Sequence, residues 1–413
     1  MNDNLQAFDT AGSESDVLVD RDKSASINGQ EKLSVALPVR RSVAIIGTRG
    51  YPSYYGGFET AIRKLAPYLA ERGWDVTVYG RTGSTVDDDP FRDPRVKTRV
   101  TRGLETKSLS TLSYGLTASL DAVRRKPDVA LVMNVANGYF LPMLRARGVP
   151  SLVNVDGIEW DRDKWGRLAK SVFHNGARWT ARWANRLVYD SLEIGRRWKD
   201  EFGLEGEFIP YGGDVPEPLE IEPGLVHRGY VLVVARFVPE NTIPQFVEAA
   251  RELSKSYPVV IVGSSGYGGD IDTQVADLSS TNSNVHWLGH VSDDTRLLSL
   301  WQHAGVYFHG HSVGGTNPAL VQAMAAGAPV VARDTIYNRE VLGPAAMLTT
   351  PTPSEIVKSV AHAMEHPELL AESSTNNIAR AKEYYSWDGV NAHYERALIA
   401  QIQVSSRTAS SRR

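Results

Sequence analysis

The chain has no cysteine and no long apolar run among its 413 residues. Without cysteine, disulfides, a thiol nucleophile and cysteine-ligated zinc or iron–sulfur sites are excluded, and a reducing compartment is the simplest expectation. No stretch approaches the roughly eighteen apolar residues of a membrane-spanning helix, and the first residues lack the pattern of a signal peptide. We therefore expect a cytoplasmic protein that does not span a membrane.

The chain also lacks a strong excess of charge of either sign. Its 45 basic and 48 acidic residues give a net charge of −3. This balance provides no overall positive potential for nucleic acid, so we expect no nucleic-acid partner. With 42% hydrophobic and 23% charged residues, the composition is that of a globular protein with enough apolar side chains for two cores.

Short apolar runs alternate with amphipathic helical patterns from Val43 onward, which predicts an α/β fold with two doubly wound parallel sheets. The alternation breaks at Ile209–Asp214 and in the Pro- and Glu-rich stretch that follows, and it restarts at Tyr230. The predicted units are a disordered leader at 1–40, a first domain at 41–214, a second domain at 215–386, a C-terminal helix at 387–401 that packs on the body, and a flexible tail at 402–413.

The segment 309–332 reads as a polar turn of small residues that leads into a helix and then a strand. Gly314, Gly315 and Thr316 allow backbone amides to approach a ligand closely, and Pro318 suits the first turn of the helix. This arrangement predicts a phosphate cradle.

A second glycine loop at 47–59 contains Gly56 and Gly57 and precedes another helical pattern. Either loop alone could be a tight structural turn, but one in each half favours function. The glycine spacing does not fit GxGxxG, and Gly80-Arg81 stands where an NAD site needs an acidic residue, so NAD binding is disfavoured.

Polar side chains follow several predicted strands. Arg236 follows the strand 231–235, where its guanidinium could hold a phosphate; a surface Arg is the alternative. Asp156 follows 151–155 and could bind sugar hydroxyls or form an Asx turn. Glu240 and Glu340 are candidates for hydroxyl ligands or helix caps.

Six ordered motifs carry a family resemblance across 43–400. They are GTRGYPSYYGGFE, NVDGIEWDRDKWGR, IPYGGD, ARFVPEN, HGHSVGGTNP and YNREVLG. With them the chain resembles retaining glycosyltransferases of family 4, most closely a bacterial rhamnosyltransferase-like branch. The resemblance implies the GT-B fold, two Rossmann-like doubly wound domains facing a central cleft, with the acceptor on the first domain and the nucleotide sugar on the second.

The resemblance also implies roles for individual residues. Those implied for catalysis are Arg236, Asp156 and Glu240; for donor binding, Gly56, Gly57, Asn241, Gly314, Gly315, Thr316, Asn317 and Gln322; and for acceptor binding, Glu159 and Arg49. The chain departs from the family where Asn241 replaces a Lys, Gln322 a Glu and Gly314 an earlier acidic residue. Arg49 or the loop amides are candidates to compensate for the missing Lys.

The chemistry implied by the resemblance is a front-face displacement, in which the departing phosphate takes the acceptor proton. It requires no metal, no cofactor and no dedicated protein base, and Asp87-Asp88-Asp89 is interpreted as a solvated loop. The implied donor is dTDP-rhamnose, and the implied acceptor is a polyprenyl-diphosphate-linked glycan or growing cell-surface polysaccharide. Alternatives are a UDP- or GDP-hexose donor, a non-hydrolysing sugar-nucleotide epimerase and a non-catalytic nucleotide-sugar-binding subunit.

The stretch 160–199 holds five of the nine Trp residues and ten basic against four acidic residues. A basic, Trp-bearing helix suggests peripheral contact with an anionic membrane at the inner face of the cell membrane. The equally weighted alternative is that Trp179, Trp183 and Trp198 anchor amphipathic helices in the core.

Overall fold

The computed structural model describes residues 41–54, 56–86, 88–104, 110–162, 165–266 and 268–410. The predicted leader 1–40, Asp87 and the tail residues 411–413 lie outside these ranges. The strands are β1 Ser42–Ile46, β2 Asp75–Arg81, β3 Lys97–Thr101, β4 Val129–Met133, β5 Ser151–Asn154, β6 Arg186–Tyr189, β7 Glu207–Phe208, β8 Val231–Val234, β9 Val259–Val262, β10 Val285–Gly289, β11 Val306–His309, β12 Val330–Arg333 and β13 Met347–Thr349. The α-helices are α1 Gly57–Glu71, α2 Ser110–Arg125, α3 Leu141–Ala146, α4 Arg167–Trp183, α5 Leu192–Phe202, α6 Ile243–Leu253, α7 Asp270–Thr281, α8 Asp294–His303, α9 Pro318–Ala325, α10 Ile336–Leu342, α11 Pro353–Met364, α12 Pro367–Tyr384 and α13 Trp387–Ser410.

The first domain is built on a parallel sheet in the order β3-β2-β1-β4-β5-β6-β7. Alternate residues of β1 enter two different cores: Val43 and Ile45 pack with α1 on one face, and Ala44 and Ile46 pack with α2 on the other. Burial of both faces explains why the strands are short, continuous apolar runs. The order is that of a Rossmann-type sheet.

The second domain repeats this plan with a parallel sheet in the order β10-β9-β8-β11-β12-β13. The helices α6 and α11 cover one face, where Phe246 stacks on Phe308 with 5.1 Å between ring centres. The helices α9 and α12 cover the other. The predicted α/β class with two doubly wound Rossmann-like domains is confirmed.

Three strands have no counterpart in the apolar pattern. These are β3, β7 and β13, and each lies next to or at a sheet edge. The sequence of β3 is KTRVT, and none of its residues is fully buried. Edge strands can carry charged residues because one side of their backbone faces away from the sheet, so periodicity alone does not reveal them.

The last helix, α13, returns to pack on the first domain. Trp387, Tyr394 and Leu398 belong to the same buried core as β1. The side-chain amide of Asn154 donates to the hydroxyl of Tyr394 at 2.8 Å. The helix continues to Ser410, so residues 402–410, predicted as the start of a tail, are helical; the apolar Ile402 extends the contact with the core.

Candidate functional site

Loops from the carboxyl ends of both sheets meet between the domains. Gly157, after β5, lies so close to Gly314, after β11, that a Cβ on Gly157 would be 3.4 Å from the Cα of Gly314. A Cβ on Gly57, the first residue of α1, would lie 3.1 Å from the Cγ of Pro318, the first residue of α9. Parallel α/β sheets bind ligands beyond the carboxyl ends of their strands, so this junction is the candidate site.

The glycine loop of the first domain brings the start of α1 to this junction. A Cβ on Gly47, which has a φ of +98°, would lie 2.3 Å from the carbonyl oxygen of Met133, so the loop requires glycine there. Gly56 precedes α1 in extended conformation. Arg49 is half-buried, and its backbone amide donates to Glu59 Oε1 at 3.0 Å. Gly56, Gly57 and Arg49 therefore lie on the loop that faces the second domain.

In the predicted phosphate cradle, a glycine allows close approach as expected, but polar side chains contact other groups of the protein. Gly314 has a φ of +105°, as a close-approach glycine requires. The hydroxyl of Thr316, however, donates to the carbonyl oxygen of Asp190 in the first domain, and the Asn317 side chain caps α9 by accepting from Ala319 N at 3.0 Å. These side chains hold the loop and the domain contact, and their contact with the donor stays a prediction. Gln322 is half-buried on α9.

The loop after β8 exposes Arg236 and buries Asn241. The side-chain amide of Asn241 donates to the carbonyl oxygen of Arg236 at 2.9 Å, and this contact closes the loop. Asn241 therefore helps to set the position of Arg236. It does not supply the positive charge of the Lys that the family carries at this place. The carbonyl oxygen of Glu240 accepts hydrogen bonds from Ser312 N at 3.0 Å and Oγ at 2.8 Å, which ties this loop to the cradle.

Asp156 and Glu159 follow β5 but differ in what they can reach. Asp156 is half-buried with a φ of +62°, and its Oδ2 accepts from the side chain of Asn134 at 3.0 Å. Glu159 is buried, with Oε1 2.8 Å from Arg162 Nε and Oε2 accepting from Trp165 Nε1 at 2.7 Å. Both oxygens of Glu159 contact neighbouring side chains, and its binding of the acceptor stays a prediction.

Sequence reasoning missed Arg162, although it lies inside the motif NVDGIEWDRDKWGR. Burial alone would lower the pKa of this guanidinium, but the surrounding carboxylates raise it. Those of Glu159 and Asp156 come from the first domain, and that of Glu240 comes from the second. Arg162 is thus a cation at the junction of the domains.

Two histidines of HGHSVGGTNP were also missed. The rings of His309 and His311 stack with 4.5 Å between centres, and the Tyr307 hydroxyl lies 2.9 Å from His309 Nδ1. Burial, followed by the charges of Arg236 and Arg162, lowers the pKa of His311 to about 3. Its imidazole is therefore neutral at physiological pH. Among the described residues, the buried His311 Nδ1 has no hydrogen-bond partner.

Asp190, directly after β6, is the fourth residue that was missed; its place after a predicted strand is the signal that could have found it. Burial, followed by the charge of Asp156, raises its pKa well above the usual value. A Cβ on Gly315 would lie 2.0 Å from its Oδ1. Asp190 is therefore a buried carboxyl group in contact with the cradle.

Glu340 caps a helix of the first domain. Its Oε2 accepts from the Ser191 hydroxyl at 2.8 Å, and its Oε1 accepts from Leu192 N at 2.8 Å. These groups stand at the start of α5 in the first domain. The capping alternative therefore describes Glu340, with the capped helix in the other domain.

The described residues contain no group of three or more His, Asp or Glu side chains arranged to hold a metal. Asp89 of the acidic run is buried rather than solvated as expected, because it accepts from the Tyr54 hydroxyl of the glycine loop at 2.6 Å and from Phe91 N at 2.8 Å. In the part of the chain that the structure describes, every helix is too short or too polar to cross a membrane.

The stretch 160–199 divides between core and surface. Trp198 is buried and contacts Trp160 edge to face, as the core alternative predicts. On α4, by contrast, the exposed Leu168 and Trp179 share the helix with Arg residues at its surface. Trp179 stacks on Trp183 with 6.4 Å between ring centres.

Comparison with known proteins agrees with this architecture. Residues 56–212 match the family described as glycosyl transferase 4-like domain, and residues 223–381 match glycosyl transferases group 1. A mannosyltransferase of Mycolicibacterium hassiacum, named MMP alpha-(1->4)-mannosyltransferase, is 25% identical over 86% of this chain and 98% of the relative. The O-antigen chain mannosyltransferase B of Escherichia coli is 22% identical over 46% of this chain and half of the relative's length.

Solved structures share the fold at low sequence identity. Sucrose-phosphate synthase from Thermosynechococcus elongatus has a TM-score of 0.72 at 16% identity and covers 87% of this chain and 100% of that one. Anabaena HepE in complex with UDP and glucose has a TM-score of 0.68 at 16% identity, with 87% and 99% covered. With two facing Rossmann-like domains and a glycosyltransferase family match in each, the chain belongs to the glycosyltransferases of the GT-B fold.

Proposed function

We propose that the protein transfers a sugar from a nucleoside-diphosphate donor to a hydroxyl of a lipid-linked or cell-surface glycan, with retention of configuration. The observation that carries the proposal is the junction itself. There the exposed Arg236 and the neutral His311 of the second domain face Asp156 and Arg162 of the first. Such a site offers cations for a leaving diphosphate and a carboxylate for sugar hydroxyls.

In the proposed reaction, the bond between the sugar and the diphosphate breaks while the acceptor oxygen attacks from the same face. The departing phosphate oxygen takes the acceptor proton, so no side chain acts as the base. Arg236 stabilises the negative charge that develops on the phosphate. Asp156, held by Asn134, accepts a hydrogen bond from a sugar or acceptor hydroxyl. This route needs neither a metal nor a cofactor.

Two kinds of donor sugar are candidates for the proposed reaction. Rhamnose from dTDP-rhamnose rests on the GGTN turn of the cradle, which resembles the rhamnosyltransferase-like branch. A hexose from a UDP or GDP donor is the second candidate, because the relatives are named mannosyl- and glucosyltransferases and HepE was solved with UDP-glucose. The acceptor is proposed from relatives named for O-antigen chains and a membrane lipid.

A thermal-shift panel of dTDP, UDP, GDP and their sugars tests the donor, because a ligand that binds only the folded state raises Tm. Stabilisation by the thymidine series supports the rhamnosyl donor, and a preference for uridine or guanosine selects the hexose. The preferred nucleotide sugar is then incubated with a polyprenyl-diphosphate-linked glycan, and the anomeric configuration of the product is read by NMR. Binding without transfer would indicate a non-catalytic subunit, and an inverted product would refute retention.

We also propose that α4 contacts an anionic membrane surface, where a lipid-linked acceptor would lie. Leu168 and Trp179 on this helix have exposed fractions of 82% and 42%. The side chains of Arg167, Arg178 and Arg182 are exposed along the same helix. Exposed apolar and basic side chains on one helix are the combination that binds at lipid headgroups.

Cosedimentation with vesicles of phosphatidylglycerol and phosphatidylcholine tests this contact. We expect binding to anionic vesicles at low salt, and we expect Leu168→Ala with Trp179→Ala to reduce it. The matched control is Phe91→Ala, because Phe91 is an exposed apolar residue of the same domain outside α4. No binding by the wild-type protein, or an equal loss in the control, would refute the membrane contact.

A further inference from the structure

Arg162 lies where the two domains come closest. A Cβ on Gly157 would be 3.0 Å from its Nη2, and a Cβ on Gly314 would be 3.7 Å from the same atom. The guanidinium therefore stands beside two loops that have no side chains at these positions, one from each domain. A larger residue at either glycine would press on the guanidinium.

The side chain of Arg162 is held at one end only. Its Nε forms an ion pair with Glu159 Oε1 at 2.8 Å, and the other oxygen of Glu159 is held by Trp165. The hydrogen bonds found among the described residues use neither of its terminal nitrogens. A guanidinium anchored through Nε keeps a planar pair of donors for a further partner, and planar pairs match phosphate oxygens.

Arg162, like Arg236, lies near His311. Both guanidinium groups help to lower the pKa of this imidazole, so one cation from each domain lies in its neighbourhood. Arg162 Nη2 also lies 3.7 Å from a Cβ placed on Gly314 of the predicted phosphate cradle, so a phosphate held by this cradle lies beside Arg162. The neutral imidazole adds no repulsion between the cations and offers a hydrogen-bonding nitrogen between them.

The carboxylates around Arg162 do not remove its capacity for a phosphate. Burial raises the pKa of Asp190 and so disfavours its charged form, and Glu159 is occupied by Arg162 Nε and Trp165. Asp156 and Glu240 remain as acidic neighbours of Arg162. Asp156 is the residue proposed to bind sugar hydroxyls, and Glu240 belongs to the loop that carries Arg236. The terminal nitrogens of Arg162, which make no hydrogen bond to the described residues, are thus cationic donors for a phosphate.

We propose that Arg162 of the acceptor domain binds the β-phosphate of the leaving nucleoside diphosphate together with Arg236 of the donor domain. This inference rests on the proposed function and assigns to Arg162 the second positive charge that Asn241 cannot supply. The diphosphate would then be gripped from both domains at once. The predicted compensating role of Arg49 would pass to Arg162.

Isothermal titration of the full-length protein with UDP, dTDP or GDP, whichever it prefers, and with the corresponding nucleoside tests the proposal. We expect Arg162→Met to weaken diphosphate binding by about tenfold to a hundredfold, since a hydrogen bond to a charged group is lost, and to change nucleoside binding less than about twofold. Arg162→Lys, which keeps the charge but not the fork, should lose an intermediate amount. The matched control is Arg196→Met, because Arg196 also pairs with a Glu three residues earlier, Glu193, but lies on the surface of α5.

The outcomes separate the alternatives. Equal affinities of wild type and Arg162→Met for the diphosphate would overturn the inference while leaving the proposed function intact, and a wild-type protein that binds no nucleotide would overturn both. Titration with farnesyl diphosphate distinguishes the acceptor's diphosphate from the donor's: a loss confined to farnesyl diphosphate would overturn the assignment. If Arg162→Met lowers Tm, the Arg162→Lys variant decides, and its failure to weaken diphosphate binding selectively would likewise overturn it.

Discussion

At the scale of single residues, the junction depends on residues that are packed too closely to be replaced by larger ones. Gly315 packs directly on the carboxyl group of Asp190, and Thr316 donates to the carbonyl oxygen of the same residue. Both the side chain and the backbone of Asp190 therefore contact the cradle of the second domain. Small changes at these positions act on the contact between the domains as well as on the local loop.

We expect Gly315→Ala to destabilise the protein by about 1–3 kcal/mol, because the new methyl group would collide with a buried carboxyl oxygen. The matched control is Gly166→Ala, since a Cβ on Gly166 meets no atom within 4 Å. Urea unfolding followed by fluorescence measures both free energies of unfolding. Equal values for the two variants would contradict this account of Gly315.

The stability of the protein should depend on pH through Asp190. Its folded pKa is raised by burial and by Asp156 above an unfolded value of about 3.9, so the stability it contributes is fully present below about pH 4. That stability is lost as the pH rises toward the folded pKa. We expect the free energy of unfolding of Asp190→Asn to increase relative to that of the wild type from about pH 4 upward. Denaturation curves at pH 4, 6 and 8 measure the difference, and a constant difference would contradict it.

At the scale of elements, the start of α5 is completed by the other domain. Ser191 is the N-cap of α5 and bonds Glu193 N, while Glu340 from α10 accepts from Ser191 and Leu192. A carboxylate at a helix N-terminus satisfies unpaired amides and interacts favourably with the helix dipole. Here that stabilisation is available only when the domains are in contact.

We expect Glu340→Ala to shift the protein toward a more open arrangement, with a cost of about 1 kcal/mol in unfolding free energy. The matched control is Glu355→Ala, an exposed Glu in the first turn of α11 in the same domain. Small-angle X-ray scattering without nucleotide should show a larger radius of gyration for Glu340→Ala alone. An unchanged scattering curve would mean that other contacts keep the domains together.

At the scale of the whole molecule, the chain crosses between its domains twice. It leaves the first domain after β7 and returns with α13, whose Trp387, Tyr394 and Leu398 complete the first core. The first domain therefore depends on residues that follow the second in sequence. Arg63 of α1 also forms an ion pair with Asp294 of α8 at 2.8 Å.

We expect Leu398→Ala to cost about 2–5 kcal/mol, because it empties a fully buried position. Hydrogen exchange should show the loss of protection in β1 and β4 of the first domain rather than in β8 and β11 of the second. The matched control is Val404→Ala on the exposed part of the same helix. Loss of protection confined to the second domain would contradict the assignment of α13 to the first core.

The sequence by itself determined the two sheets and most of the loops at the junction. Val43–Ile46 and Val306–His309 are readable because a strand buried on both faces must be apolar throughout, and Arg236 is readable because it follows such a strand. The glycines of both loops are equally visible, since positive φ angles and close approaches require them.

Only the tertiary structure decided what the polar side chains contact. Glu340, Thr316 and Asn241 are predicted from the sequence to bind ligands, and the structure adds that their side chains hold a helix, a domain contact and a loop. Arg162 and Asp190 look ordinary in the sequence, yet they meet at the junction. Apolar burial repeats along the chain with the period of its own secondary structure, whereas the partners of Thr316 and Glu340 lie more than a hundred residues away in the sequence.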